Sequence, residues 1–161
     1  MSKYIGVYEI SKYLVETLQS SGALQVSIGS RTAYSRDKKV ITPGAHISPV
    51  GMSINTNRNN GTTTVEIQLE VFVYGLLTFR KIEAEEAVYG TGNEIDVLDE
   101  CGYIVDRLMR KLGERTIRLE NIGYVIAQPG TFQAVIHEGA DDLGGLQGVI
   151  TFTLLGGSPN C

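Results

Sequence analysis

From Val65 to Tyr74 the chain alternates without a break, with Val65, Ile67, Leu69, Val71 and Val73 on one side and Glu66, Gln68, Glu70, Phe72 and Tyr74 on the other. A period of two defines a strand, and a wholly aliphatic face must be covered by another layer of structure. The opposite face begins acidic and ends aromatic, so its far end is expected to be covered by the same chain or by a neighbour. Upstream, Met52, Ile54 and Thr56 alternate in the same way. Asn57-Arg58-Asn59-Asn60-Gly61 then turns the chain, and Asn60-Gly61 offers the positive-φ residues of a tight hairpin. The two segments are expected to pair.

The covering layer is expected to be helical. Between Tyr4 and Gln19, Val7, Ile10, Leu14 and Leu18 recur at helical spacing, and Gly22 is placed to end the helix. A second helix is expected from Glu94 to Leu112, capped by Asn93 and stopped by Gly113, with Leu98, Cys101, Val105, Leu108 and Leu112 as its apolar stripe. Its acids Glu94, Asp96, Asp99 and Glu100 precede its bases Arg107, Arg110 and Lys111, which suits the helix dipole.

Short strands are expected at Leu24–Ile28, Ile117–Gln128 and Phe132–His137. A loop containing Gly139, Asp141, Asp142, Gly144 and Gly145 leads into a last strand at Gln147–Leu155, where Ile150, Phe152 and Leu154 share a face. The order predicts an α+β fold: a largely antiparallel or mixed β-sheet with two main helices packed on it and a long arm and hairpin. At 161 residues the whole chain, 1–161, is expected to be one domain whose core needs no disulfide or metal staple.

Between Arg31 and Asn60 the patterning weakens. Thr42-Pro43-Gly44 and Ser48-Pro49-Val50-Gly51 punctuate the segment, which is expected to contain an extended loop or arm. Its basic cluster Arg31, Arg36, Lys38 and Lys39, with Tyr34 nearby and Arg58 in the following turn, is the candidate contact surface. The link from Leu77 to Val88 is expected to be helical or irregular.

Chemistry is harder to find. Fourteen Lys and Arg against 18 Asp and Glu give a net charge of −4, unsuited to broad gripping of nucleic acid. Gly90-Thr91-Gly92 lacks the third glycine of a dinucleotide fingerprint, since position 95 is Ile95. Ser35-Arg36-Asp37-Lys38 lacks the companion motifs of penicillin-recognising enzymes. His46 and His137 have no metal-ligand partners at known spacing, and Asp141-Asp142 offers too few ordered oxygens for calcium. Cys101 and Cys161 are expected to be reduced thiols, with Cys101 serving as a small core residue. No catalytic residue, cofactor or metal is expected, and the protein is expected not to be an enzyme. The start of the chain is expected to be mature cytosolic sequence, and no apolar run reaches the length of a membrane span.

The plan resembles that of the tail terminator, or tail completion and neck, proteins of tailed bacteriophages. The resemblance is carried by the first helix around Ile10-Ser-Lys-Tyr-Leu14 and the hairpin after a variable arm. It is carried also by the helix Leu98-Asp-Glu-Cys-Gly-Tyr-Ile-Val-Asp-Arg-Leu108 and by the closing strand Gly148-Val-Ile-Thr-Phe-Thr-Leu-Leu155 reached through an acidic glycine loop. It implies a virion protein, made in the host cytoplasm, that forms a homo-oligomeric ring, commonly a hexamer, at the head-proximal end of the tail. Its implied partners are further copies of itself, the tail tube protein and a head connector or neck protein, with the sheath as a further candidate. DNA would pass through the lumen without specific binding. Alternatives are another phage neck, tube or head-completion protein, and a small cytosolic ligand-binding domain or enzyme.

Overall fold

The structure, a computed structural model, describes residues 6–29, 41–56, 59, 61, 63–77, 93–113, 116–119, 123–136 and 143–154. The first helix, α1 (Gly6–Ser21), buries Ile10, Leu14 and Leu18 completely, and Val7 packs against the same core. Gly22 takes a φ of 125°. The amides of Gly22 and Ala23 turn back to the carbonyls of Gln19 and Leu18 at 3.2 and 3.0 Å, a Schellman closure that satisfies the helix end.

The second helix, α2 (Glu94–Leu112), buries Val97, Cys101, Ile104, Val105, Leu108 and Leu112. The expected stripe therefore shifts at its start: Val97 and Ile104 join the core, while Leu98 is only half-buried. Asn93 occupies the N-cap position without capping through its side chain. Its Nδ2 instead donates to the Leu76 carbonyl at 2.9 Å, tying the helix start to the end of a strand. Gly113 ends the helix in a right-handed conformation, with its amide on the Met109 carbonyl.

Among the described residues seven strands form one mixed sheet: β1 (Gln25–Ile28), β2 (Gly44–Thr56), β3 (Thr63–Leu76), β4 (Ile117–Leu119), β5 (Gly123–Pro129), β6 (Gln133–Ile136) and β7 (Leu143–Leu154). The main order is β1-β2-β3-β7-β5-β4, with β6 also paired to β7. Of the pairs among the described residues, β1 with β2 is parallel and the others are antiparallel. Both helices cover one face, where Val65, Ile67, Leu69, Val71 and Val73 meet Ile150, Phe152 and Leu154 in the main core. The α+β plan with two helices on a mixed sheet is thus present.

Several local expectations change. Of the segment expected to contain an arm, Gly44–Thr56 forms a thirteen-residue strand, and 30–40 lie outside the described residues. Ile117–Gln128 is not one strand but two, with β4 folded antiparallel onto β5. Gly144 and Gly145 belong to β7 rather than to the preceding loop, and pair with Gly75 and Tyr74. In β1 the expected apolar face is not covered: Leu24 and Ile28 are exposed and Val26 is half-buried, because β1 lies at the sheet edge.

The aromatic end of β3 is covered by the same chain. Phe72 and Tyr74 form a second cluster with Leu143, against which Val135 packs, on the face away from the helices. Their rings lie 5.5 Å apart in a tilted arrangement. Burial pushes the Tyr74 phenol above its ordinary pKa.

Candidate assembly interface

Pairing in β2 changes partway along the strand. Strand β1 lies beside Gly44–Ile47 only, so from Ser48 to Thr56 the outer edge of β2 has no strand beside it among the described residues. Pro49 falls just beyond the end of β1, where its missing amide costs no ladder bond to that strand. A bulge follows: Pro49 opposes Leu69 and Gly51 opposes Gln68, leaving Val50 as the extra residue.

That extra residue reverses which side chains face the helices. Before it, Ala45 and Ile47 do so and are fully buried. After it, Met52 and Ile54 do so, opposite Ile67 and Val65. Yet Met52 and Ile54 are 46% and 57% exposed, and the bulged Val50 is 50% exposed. The core-facing side of β2 thus runs out beyond the helices as an uncovered aliphatic ledge.

The opposite flank has a matching feature. Strand β4 pairs with β5 only over Gly123–Val125. From Ile126 through β5 and β6 to Ile136, no strand lies on the outer side among the described residues. Next to this edge, on the helix face, is an open groove of about 570 Å³. Gly102, Val105 and Met109 of α2 form one wall, Pro129 and Phe132 the other and Leu146 the floor, with Asp106 at the rim. Phe132 lies against Gly148, where an added Cβ would stand 2.6 Å from the ring.

Neither open edge carries an ionisable side chain. Ser48–Thr56 reads Ser-Pro-Val-Gly-Met-Ser-Ile-Asn-Thr and Ile126–Ile136 reads Ile-Ala-Gln-Pro-Gly-Thr-Phe-Gln-Ala-Val-Ile. At the 20% charged content of the chain, segments of this combined length would hold about four charges, and natural sheets commonly place charge on open edges to prevent pairing. These two edges lack that protection.

The chemistry elsewhere is structural. His46 is buried. Its Nε2–H donates to the Gly29 carbonyl at 3.1 Å, and in that tautomer Nδ1 accepts from the Ser27 hydroxyl at 2.7 Å. Ser27 and His46 are register partners on β1 and β2. Hydroxyl and imidazole are therefore within proton-transfer reach, but neither lines the groove beside α2, and the arrangement reads as a tie between two strands. Cys101 is fully buried, and burial together with the nearby Glu100 charge pushes its thiol up to about 12, as expected of an inert core residue. Among the described residues no group of His, Cys, Asp or Glu is arranged to hold a metal ion, and no helix is long and apolar enough to cross a membrane.

The contact residues expected from the sequence, Arg31, Tyr34, Arg36, Lys38, Lys39 and Arg58, all lie outside the described residues. His137 and Cys161 do as well. The edges and the groove were missed by sequence reasoning, although the absence of charge from the two edge segments was a legible signal. No protein-family model and no curated protein matches the chain.

Proposed function

We propose that the protein is a structural, ring-forming virion component of the tail terminator or neck class. In this reading it closes the head-proximal end of a phage tail tube and joins it to a head connector. The observation that carries the reading is the pair of uncharged sheet edges on opposite flanks of one subunit that have no strand beside them among the described residues. A closed ring of identical subunits needs two different complementary patches on each copy, facing opposite ways around the ring. An isologous dimer or a monomeric enzyme needs neither.

The energetics favour closure over pairing. Covering the remaining exposed surface of Val50, Met52 and Ile54 yields about 1 kcal/mol for each side chain. That sum falls short of the roughly 4 kcal/mol or more lost when two molecules associate. A single edge contact is therefore weak, whereas a ring engages both edges of every copy and loses no end. The sheet face away from the helices carries Glu66 and Glu70 on β3 and Arg118 on the edge strand β4. That face holds no broad basic surface of the kind that grips phosphates.

Sedimentation velocity and negative-stain imaging of the purified protein, alone and with isolated tail tubes, test the reading. Closed rings that cap tubes are expected. Growth into open tubes would reassign the protein to the tube itself. A strict monomer that ignores tube ends at about 100 μM, where even weak contacts of micromolar affinity are populated, would sink the proposal.

A further inference from the structure

Resting on the ring-forming reading, we infer that the open limb of β2 in one copy pairs antiparallel with the β5–β6 edge of the next copy. This pairing inserts Met52 and Ile54 into the groove between α2 and Phe132. The occupant of the groove is therefore a second copy of this chain.

Three observations converge on this arrangement. The first is direction. Strand β2 is antiparallel to β3, β3 to β7, and β7 to both β5 and β6, so β2 runs opposite to β5 and β6. Carrying the sheet around a rotation axis keeps strand directions, so the two open edges meet as an antiparallel pair, the more stable kind. Met52 is level with Phe152, six residues along β7 from Leu146, so the pairing needs strands tilted to the axis with a stagger of that size between copies.

The second observation is facing. The bulge at Val50 turns Met52 and Ile54 to the helix side of the sheet. The groove lies on that same side in the neighbour, because Leu146 is the register partner of core-facing Val73. Without the bulge, Met52 and Ile54 would face the other way and could not reach the groove.

The third is chemistry. Neither edge carries an ionisable side chain, and Asp106 at the groove rim is already paired with Arg110 at 3.0 Å, so joining them leaves no lone charge desolvated. The groove, at about 570 Å³, lies in the size range that accommodates a small ligand, and it is walled by Val105, Met109 and Phe132. Gly102 keeps its α2 wall low, since the only atom within 4 Å of a Cβ there is Leu146 Cδ1, at 4.0 Å.

The test uses the full chain with Cys161→Ser, to which Ile54→Cys and Met109→Cys are added together. Under mild oxidation the double variant should give a ladder of disulfide-linked multimers that stops at the ring number, whereas either cysteine alone should give dimers at most. In parallel, Ile54→Glu, at an exposed position, should keep the circular dichroism and thermal midpoint of the parent. Its self-association should weaken at least about 100-fold by sedimentation. If the parent forms rings but Ile54→Glu assembles normally, or the ladder is absent, this pairing is wrong and the ring reading stands. If the parent does not self-associate, both fail together.

Discussion

Gly145 gives the sharpest test of the strand packing at the centre of the sheet. It pairs with Tyr74 across the β3–β7 ladder, and a Cβ added to it would stand 1.9 Å from the Val73 carbonyl oxygen and 2.9 Å from the Tyr74 Cα. Both are backbone atoms, so no side-chain rotation relieves the clash. For Gly145→Ala, restoring ordinary contact at 3.4 Å requires the strands to part by roughly 1.5 Å, which carries neighbouring N–H···O bonds beyond useful length. Losing two such bonds costs about 2 kcal/mol, and overpacking adds about 1 to 3 kcal/mol. The stiffer unfolded chain returns about 0.5 to 1 kcal/mol. The net loss is therefore about 2 to 4 kcal/mol. Urea titration followed by circular dichroism reads this directly: with a slope of about 1 to 3 kcal/mol per molar, the midpoint should fall by roughly 0.7 to 4 M. Gly102→Ala on α2 is the control. It meets nothing closer than 4.0 Å and should stabilise the fold by up to about 1 kcal/mol through helix propensity. A Gly145→Ala loss below about 1 kcal/mol, beside a normal control, would refute the close strand approach.

Two further predictions concern the helices. Because the Cys101 thiol is pushed up to about 12, above its unfolded value, its contribution to stability is complete below about pH 9 and is lost as pH climbs toward 12. In a Cys161→Ser background, native protein should therefore resist thiol reagents at pH 8 and react once unfolded, and rapid native labelling would contradict the burial. The last turn of α1 has no basic residue of its own, and α2 supplies the cations. Arg107 donates to the Ser20 carbonyl at 3.4 Å while its guanidinium lies 5.3 Å from the Tyr103 ring centre, and Lys111 donates to Ser20 Oγ at 2.5 Å. Replacing both by Ala should cost about 0.5 to 1.5 kcal/mol, a loss that shrinks in high salt, as chemical denaturation at two ionic strengths will show.

The parts of the fold that were legible are those with a complete local signature. Alternation from Val65 to Tyr74, the spacing of Ile10, Leu14 and Leu18, and the stop at Gly22 each follow from neighbours in sequence. The misreadings share a different cause. Pro49 and Gly51 look like loop punctuation, yet a bulge beyond the end of β1 accommodates them inside a long strand. Gly144 and Gly145 look like a loop, yet both pair in β7, and at Gly145 the missing side chain lets β7 lie against β3. Asn93 looks like a cap, yet its amide is drawn to a carbonyl on another element.

The candidate interface divides in the same way. The order of residues alone shows that Ser48–Thr56 and Ile126–Ile136 hold no charge, and that Met52 and Ile54 alternate as strand residues. It could not say that these segments are edges, because an edge is defined by the absence of a neighbouring strand, which depends on the whole sheet order. Nor could it say which face Met52 and Ile54 occupy, because one bulged residue inverts the face and local spacing does not reveal it. Alternation fixes that a strand has two faces. Which of them the helices cover, where that cover ends, and that the aliphatic ledge of β2 and the groove beside α2 lie on the same side of opposite flanks all depend on how distant elements pack.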